Sequence, residues 1–281
     1  MTAPLVVERA TTGTARPLET GWLADTPIDD TLLRRFVHNQ ADVNAAIAQA
    51  RGGRVDRAHG AFLADAASPV PFLNQAILDA PVLRADDPVL DTIDAFFARP
   101  GQPATLLSIW PTPDLTTRGW SLMGHPAFVL RAPRPSTYER PSNVDVQLAR
   151  EPADYETAEQ VIVEGYPIDE ARGEPPGCLI PQASSSIGLE VRLGLIDGEP
   201  VAVGEVLISH GVANLCMGAT LPHARRHGVW EALVWARVAT SPDLPAVAVT
   251  SDLSRPGFVR MGFLPVTRLT LWHRPTATER I

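Results

Sequence analysis

Lysine is absent from this chain of 281 residues, and cysteine is scarce. All 24 basic residues are arginines, and 32 acidic residues outnumber them, so the formal net charge is −8. Such a surface lacks the broad positive field that nonspecific binding to phosphate backbones requires, so we expect no nucleic-acid partner. The exclusive use of arginine is compatible with selection for anion recognition, but GC-rich codon usage explains it better.

The two cysteines, Cys178 and Cys216, are too few and too far apart for a disulfide framework or a thiolate metal site. Long apolar runs are also missing: no segment offers the roughly 18 consecutive apolar residues that a membrane-spanning helix needs. The first residues show no basic stretch followed by an apolar core. These absences predict a cytoplasmic location and no membrane partner.

The length of the chain allows two domains of ordinary size. Residues 131–141 read RAPRPSTYERP, with three prolines, four charges and no apolar periodicity, which is typical of an exposed linker. We therefore predict a first domain at 1–135, a linker at 136–143 and a second domain at 144–274.

Apolar periodicity predicts the secondary structure of both parts. Helices are expected at 30–52, 88–97, 153–164 and 229–239, and strands at 72–78, 104–110, 128–131, 144–148, 189–196, 200–208, 212–220, 246–250 and 264–272. Asp197 and Gly198 supply the positive φ angles of a tight hairpin. The segment 166–186 holds four prolines and is too long for a simple connector, so it is either functional or disordered.

The most informative segment is 221–230, LPHARRHGVW, which joins a predicted strand to a predicted helix. A glycine-containing turn at a helix N-terminus brings several backbone N–H groups and the positive end of the helix dipole to one place, which suits a diphosphate. Arg225, Arg226 and His227 could add positive charge. Gly228 permits a close approach of the backbone that a Cβ would block.

Here the chain resembles the GNAT superfamily of acyl-CoA-dependent N-acyltransferases, whose signature in this turn is Q/R-x-x-G-x-G/A. Arg225 takes the first position and Gly228 the central glycine, whereas Trp230 departs from the last position. The order of elements over residues 144–272 also resembles that family. The resemblance implies an α+β fold with a mixed central sheet flanked by helices. It implies that acetyl-CoA or another acyl-CoA contacts these residues: Gly218, Ala219, Thr220, Arg225, Arg226, His227, Gly228, Val229, Trp230 and Phe258.

Acyl transfer to an amine needs a proton acceptor for the amine and a proton donor for the departing thiolate. Glu205, flanked by apolar strand residues, is the candidate base; if it points to the outer face of the sheet, it is merely solvated. Many members of the family use a tyrosine as the donor, but Phe258 occupies that position here. Ser254, another group or solvent would then protonate the thiolate, or the domain does not catalyse.

Two other kinds of chemistry are disfavoured. Cys216 has no base among its sequence neighbours, so a buried structural cysteine is the better interpretation than a covalent acyl-enzyme. His223 and His227 are spaced as metal ligands only if both lie on one helix, and the arginines of the loop would repel a cation. We therefore expect no metal.

The first part of the chain shows no Arg-x-x-Gly turn that leads into a helix. It resembles a degenerate GNAT-like domain in tandem with the second, without a cofactor loop, and its expected role is to shape the acceptor cleft. Residues 141–281 are then expected to contain every element that binds coenzyme A. The predicted activity is direct acyl transfer to a small-molecule or peptide amine. The alternative is an inactive acyl-CoA sensor or scaffold, and a homodimer is left open.

Overall fold

The computed structural model describes residues 31–99, 101–166 and 168–275. Within them lie five α-helices: α1 (Leu32–Ala50), α2 (Pro88–Phe96), α3 (Pro152–Gly165), α4 (Val229–Val238) and α5 (Arg255–Arg260). The same residues form thirteen strands: β1 (Arg54–Ala58), β2 (Ala61–Asp65), β3 (Asn74–Leu78), β4 (Ala104–Ser108), β5 (Ser121–Gly124), β6 (Ala127–Arg131), β7 (Val144–Leu148), β8 (Glu190–Ile196), β9 (Glu199–Ser209), β10 (Val212–Thr220), β11 (Ala246–Thr250), β12 (Leu264–Arg268) and β13 (Thr270–Arg274).

The strands form two mixed sheets. The first has six strands in the order β1-β2-β3-β4-β13-β5, and the second has seven in the order β12-β6-β11-β10-β9-β8-β7. Each sheet contains one strand from the other part of the chain, because β13 lies between β4 and β5 while β6 lies between β11 and β12. This reciprocal exchange joins the two parts through backbone hydrogen bonds.

The two sheets repeat one arrangement. In each, a parallel pair (β3 with β4, or β10 with β11) is followed by the exchanged strand and then by an edge strand. Gly119 and Gly262 occupy equivalent places before the edge strands with φ of 81° and 83°, and the aromatic residues that follow, Trp120 and Phe263, are both buried. This shared order favours the expected tandem arrangement, which stays a prediction, as do the domain boundaries.

Local signals explain where the helices begin. Thr31 Oγ1 accepts a hydrogen bond from the Arg34 N–H at the start of α1, and Asp154 Oδ2 accepts one from the Glu151 N–H at the start of α3. The four predicted helices are confirmed with ends within two residues of those expected. The segment 166–186, for which no element was predicted, contains two 3-10 helices, Asp169–Ala171 and Gln182–Ile187.

The prediction of a single strand at 264–272 is wrong. The chain instead forms β12 and β13, which are separated at the fully buried Leu269 and enter different sheets. The Leu269 N–H donates to the Pro126 carbonyl at 2.9 Å, which fixes the crossing between the sheets. Residues 141–281 do not contain the whole second sheet, because β6 lies outside that segment. The expectation that this segment contains every element that binds coenzyme A stays a prediction.

Helix α1 connects the two sheets through a chain of side-chain amides. Asn214 in β10 donates to Gln40 at 3.0 Å, Gln40 donates to Asn44 at 3.0 Å, and Asn44 donates to Gln75 in β3 at 2.8 Å. Gln75 in turn donates to Thr105 in β4 at 2.9 Å. Because buried amides are costly unless they are paired, this chain fixes α1 against both sheets.

Helices cover both faces of the second sheet at its centre. Val203 belongs to the apolar cluster formed with α3, and Val206 belongs to the cluster formed with α4 on the other face. Side chains alternate along a strand, so Glu205 lies on the α3 face and Gly204 on the α4 face.

Candidate functional site

Strand β10 contains a bulge near its C-terminal end. Cys216 pairs with Glu205 and Ala219 pairs with Val203, so β10 advances three residues while β9 advances two. Met217 within the bulge has a φ of 45°, in the left-handed region that costs a non-glycine residue on the order of 1–3 kcal/mol. Bulges and strain of this kind are common beside functional sites.

Strand β10 also separates from β11 before the bulge. The two strands pair only through Ala213 with Ala246 and Asn214 with Val247, whereas β11 stays paired with β6 along its whole length. The edge of β10 from residue 215 onward therefore has no β11 partner among the described residues. An open strand edge of this kind can pair with an extended, amide-containing ligand.

Glu205 lies directly opposite the bulge and is fully buried, with 0% exposure. The interpretation as a solvated residue of the outer face is therefore wrong. Oε1 of Glu205 has no hydrogen-bond partner among the described residues. Burial raises the pKa of Glu205 to about 8, although the positive charge of Arg237 opposes the rise. A carboxyl with such a pKa can exchange a proton near neutral pH.

Cys216 contacts this carboxyl. Its Sγ lies 3.8 Å from Oε2 of Glu205, so the acidic neighbour that the local sequence lacks comes from the adjacent strand. Burial and the nearby Glu205 raise the pKa of Cys216 well above its ordinary value. The thiol therefore stays protonated and is a poor nucleophile at neutral pH.

Arg237, in the last turn of α4, lies beneath the bulge with 1% exposure. Its Nη1 donates to the backbone carbonyls of Glu205 at 3.1 Å and Cys216 at 3.2 Å, and its Nε donates to the Leu233 carbonyl at 3.1 Å. Burial lowers the pKa of Arg237 to about 10, which leaves the guanidinium charged at neutral pH. Sequence reasoning missed this residue because an arginine near a helix C-terminus is normally solvated.

The segment after β10 forms the expected turn into α4. Arg225 Nε donates to the Thr220 carbonyl at 3.2 Å and its Nη2 donates to the Gly165 carbonyl at 2.9 Å, so this side chain joins the end of β10 to the end of α3. Arg226 and His227 are exposed beside it. Oγ1 of Thr220 is buried without a hydrogen-bond partner among the described residues.

Gly228 is the residue that immediately precedes α4, and its φ is 84°. A Cβ at this position would lie 3.0 Å from Cγ of Pro141, so the predicted linker occupies part of the space that the missing Cβ leaves. Arg226 also has a left-handed backbone, with a φ of 69°. Left-handed residues in such a turn help to gather backbone N–H groups into an anion-binding concavity.

The aromatic residues predicted at the cofactor site belong to the core in this structure. The Trp230 ring packs edge-on against Phe258 at 5.1 Å, and Phe258 packs edge-on against Phe263 at 4.9 Å. A Cβ on Gly257 would lie 2.5 Å from the Trp230 ring. The Trp230 side chain therefore packs between α4 and α5, and its departure from the family signature adds bulk to that contact.

Ser254 lies immediately before α5, where its hydroxyl is 3.1 Å from Oγ of Ser251 and 3.3 Å from the Ser251 carbonyl. It belongs to a turn that follows β11, whereas Glu205 belongs to β9. Among the described residues, no hydrogen bond connects the two predicted catalytic side chains.

Tyr166, at the end of α3, is a second residue that sequence reasoning missed. A Cβ on the preceding Gly165 would lie 3.1 Å from Cβ of Ala219, so the end of α3 packs closely against β10 just beyond the bulge. Partial removal from water raises the pKa of Tyr166, and the charges of Arg237 and Arg225 oppose this rise. The departure of Phe258 from the family pattern was a signal to search for another phenol.

The segment 166–186 is held in place by one carboxylate. Glu159 of α3 accepts the N–H groups of Gly177 at 2.7 Å, Leu179 at 2.6 Å and Ile180 at 2.7 Å. Leu179 and Ile180 have 0% exposure, so the segment contributes to the core next to the α3 face. Asp169, an acidic residue of this segment, is paired with Arg172 at 2.7 Å.

The equivalent turn of the first sheet, residues 79–87 between β3 and α2, contains no glycine and three aspartates. It is therefore poorly suited to a diphosphate.

A separate cavity of about 480 Å³ lies between α1 and the first sheet, lined in part by His38, Asp42, Phe62 and His210. His210 lies in the turn between β9 and β10, at the far end of β10 from the bulge. Its Nε2 is 3.0 Å from Oδ2 of Asp42 in α1.

In the described ranges, no cluster of three or more His, Cys, Asp or Glu side chains is arranged to hold a metal ion. Likewise, none of the helices within these ranges is long and apolar enough to cross a membrane.

Comparison with known proteins gives a match at the level of structure. No family model matches the sequence, and no curated protein matches it. A GCN5-related N-acetyltransferase from Kribbella flavida is similar in structure, with 22% identity and a TM-score of 0.58 over 85% of this chain and 97% of that one.

Two further solved structures are similar over most of their length. A protein assigned to the GNAT family of acetyltransferases from Novosphingobium aromaticivorans has 11% identity and a TM-score of 0.53, over 83% of this chain and 97% of that one. A conserved protein of unknown function from Staphylococcus epidermidis has 12% identity and a TM-score of 0.55, over 79% of this chain and 93% of that one. The predicted mixed α+β architecture is confirmed, and the chain has the GNAT fold.

Proposed function

We propose that this chain is an acyl-CoA-dependent N-acyltransferase that moves acetyl or another acyl group directly from coenzyme A to an amine. One observation carries the proposal: β10 leaves β11 just before a bulge, and the fully buried carboxyl of Glu205 lies opposite that bulge. The fold supports the same interpretation, because the similar protein from Kribbella flavida is described as an N-acetyltransferase.

The residues present fit coenzyme A, which supplies the thioester when it is bound. The open edge of β10 at Gly218, Ala219 and Thr220 suits the extended, amide-bearing arm of the cofactor. The turn before α4 suits its diphosphate through the N–H groups at 228–230 and the charge of Arg226, with the exposed His227 as a further hydrogen-bond partner. Arg225 would act indirectly, since its guanidinium already binds two backbone carbonyls.

The proposed reaction is a direct transfer. The amine nitrogen forms a bond to the thioester carbonyl carbon, the carbon–sulfur bond breaks, and the amine proton passes to ionised Glu205. A donor returns one proton to the thiolate. Because Glu205 has no exposed surface, the acceptor or a water must enter beside its unpaired Oε1 for this proton transfer.

Two side chains are candidates for the thiolate proton donor. Ser254 is the candidate from the sequence, but its hydroxyl is engaged with Ser251. Tyr166 is half exposed at the end of α3, next to Gly165, which packs against Ala219 of β10, and the charges of Arg237 and Arg225 oppose the rise of its pKa. Phe258 has no proton to give and is buried in the core. We therefore favour Tyr166 over Ser254.

The acceptor is proposed to be a small-molecule or peptide amine in the cytoplasm. Exposed acidic residues near the α3 face, such as Glu164 and Glu174, would attract a cation. No motif selects one amine.

The second candidate function is an acyl-CoA-binding module without turnover. It is favoured by Pro141 beside Gly228 and by Phe258 in place of a proton donor. The acidic Glu231 in the first turn of α4 also offsets part of the positive field there.

A thiol-release assay with acetyl-CoA and a panel of amines separates these functions. We expect turnover by the native protein, a loss of about two orders of magnitude in kcat for Glu205→Gln, and little change for Glu199→Gln, an exposed control on the same strand. The loss should shrink at high pH, where more of the amine is already deprotonated. Tight coenzyme A binding by calorimetry without turnover on any amine would instead support the binding module.

The same assay compares the donors. Tyr166→Phe should lower kcat more than Ser254→Ala, and the deficit should be larger with acetyl-CoA than with an activated thioester whose thiolate leaves readily. A larger loss for Ser254→Ala would return the role to Ser254.

A further inference from the structure

One buried cation, the guanidinium of Arg237, contacts both the bulge of β10 and the backbone of the candidate base Glu205. Arg237 is one of the largest fully buried side chains among the described residues. Isolated buried charges are very costly, so such a cation is retained only where its surroundings compensate for it. The compensation here is unusual, because the hydrogen bonds of the guanidinium go to backbone carbonyls: Leu233 of its own helix, and Glu205 and Cys216 of the sheet.

The two carbonyls in the sheet belong to the residues at which the bulge begins. Cys216 and Glu205 are the last directly paired residues before the register shifts to Ala219 and Val203. A bulge disturbs the ladder of backbone hydrogen bonds, so a donor that occupies both carbonyls favours this register over a regular one.

The sequence makes room for this cation at two glycines. A Cβ at Gly204 would lie 2.6 Å from Cζ of Arg237, and one at Gly218 would lie 3.5 Å from Nη2. Gly204 has no positive φ that would require glycine. Its lack of a side chain is therefore explained by the guanidinium above it.

Ionisable and charged groups surround the cation on every packed element. They are Tyr166 at the end of α3, Arg192 from β8, Glu205 from β9 and Cys216 from β10, and Glu159 of α3 acts on Glu205. The charges of Arg237 and Glu205 attract each other, whereas Glu159 and Arg192 act in the opposite sense on Glu205 and Arg237, respectively. The carboxyl of Glu205 lies on the α3 face and the guanidinium on the α4 face, so the attraction passes through the sheet.

We propose that Arg237 is the positioning residue of the acyl-transfer site: its guanidinium holds the β10 bulge in register and supplies the positive charge that allows the buried Glu205 to ionise. This role rests on the proposed function for its catalytic meaning. The structural part stands independently, because it concerns the bulge and a carboxyl that can be titrated without turnover.

The test compares Arg237→Met with Arg131→Met. Arg131 is a matched control, since it is also buried, at 3% exposure, and its guanidinium also binds backbone carbonyls, those of Ala132, Arg134 and Pro135. Both variants should unfold at lower urea concentration than the native protein. Only Arg237→Met should move the rising limb of the kcat–pH profile to higher pH, by about one unit, because Glu205 loses an opposite charge. It should also lower kcat more than it raises KM.

A second measurement needs no turnover. The pH dependence of urea unfolding between pH 5 and 9 reports the ionisation of Glu205 in the folded protein. Stability declines with rising pH as long as folded Glu205 stays protonated, and the decline ends where folded Glu205 ionises. In Arg237→Met this end point should lie about one pH unit higher than in the native protein. If Arg237→Met does not fold, Arg237→Lys retains the charge but loses the planar fork; it should keep the native pH dependence while kcat falls.

The outcomes are distinct. If the native protein turns over no amine but the unfolding profile shifts as stated, the proposed function fails while the inference on Arg237 stands. The inference is wrong, and Arg237 is only a structural residue, if Arg237→Met and Arg131→Met show the same pH dependence and differ only in overall stability. The same conclusion follows if Arg237→Lys has the kcat of the native protein and differs from it only in overall stability.

Discussion

Gly204 of β9 lies against the guanidinium of Arg237, too close for any side chain at this position: a Cβ on Gly204 would lie 2.6 Å from Cζ of Arg237. The contact connects an apolar strand, a buried cation and the residue after Gly204, which is the candidate base Glu205. A glycine in the interior of a strand often marks a close approach by another group.

We expect Gly204→Ala to displace Arg237. The overpacking should cost roughly 1–3 kcal/mol of the free energy of unfolding and should shift the kcat–pH profile to higher pH. Gly194→Ala on the neighbouring strand is the control, since its Cβ would lie 2.7 Å from Val229 and so overpacks an apolar contact. That variant should lose similar stability and keep the native pH profile. Identical pH profiles for both variants would contradict the assignment.

The stability of the protein should fall as pH rises from about 4.5 to about 8. In this window Glu205 holds its proton in the folded state, where its pKa is about 8, whereas the unfolded chain, with the ordinary value of 4.5, has released it. The folded state binds more protons, so the contribution is complete below pH 4.5 and is lost as pH passes 8, at up to roughly 1.4 kcal/mol per pH unit.

Urea unfolding of Glu205→Gln measures this contribution. The amide cannot titrate, so the difference in unfolding free energy between variant and native protein should move in favour of the variant from pH 5 to pH 8.5. Parallel curves for the two proteins would show that Glu205 has no raised pKa.

Arg226 offers a test of the proposed anion-binding turn that does not depend on damage to the fold. Its φ of 69° is strained for arginine and ordinary for glycine, so Arg226→Gly should keep or gain stability by up to about 1 kcal/mol. Its affinity for coenzyme A should nevertheless fall about tenfold, because a charge-assisted contact is lost. Asp197→Gly, at a φ of 51° in the hairpin, relieves strain away from the turn and should leave the affinity unchanged. Calorimetric titration with coenzyme A measures the affinity of both variants. Equal affinities for Arg226→Gly and the native protein would show that the charge of Arg226 does not contribute to cofactor binding.

The exchanged strands should make the molecule unfold as one unit. Trp272 lies in β13 but is buried in the core of the first sheet, and its Nε1 donates to Thr112 at 2.8 Å. Trp272→Ala should therefore destabilise the whole protein by about 3–5 kcal/mol, within a single calorimetric transition. Val266→Ala, half exposed on β12, should change stability by less than about 0.5 kcal/mol. Two transitions, of which only one responds to Trp272→Ala, would argue for independently folding halves.

Most of the secondary structure could be predicted because its signals are local. The Asp197-Gly198 turn, the proline at the start of α3 and the apolar run of β10 each determine an element within a few residues of sequence. Strand exchange could not be predicted in this way. A strand's pairing partner is not encoded in its own alternation, so one apolar segment at 264–272 gave no sign that it divides at Leu269 between two sheets.

The site was predicted unevenly for the same reason. The turn at 225–228 has a sequence signature, and its left-handed φ values agree with it. The burial of Glu205 was left open on the basis of alternation, although the continuous apolar run around it indicates a strand covered on both faces. Arg237 carries no local signal at all. Its role depends on Gly204 and on the bulge, which meet it only in the folded chain.

Amide hydrogen exchange with and without saturating acetyl-CoA tests the central claim most directly, because it locates the cofactor without relying on turnover. We expect new protection at the amides of residues 217–220, at the bulge and open edge of β10, and at 228–231, in the first turn of α4. We expect no new protection in the equivalent turn of the first sheet, residues 79–87. Unchanged exchange at 217–220 and 228–231, or protection confined to 79–87, would contradict the assignment of the acyl-CoA site.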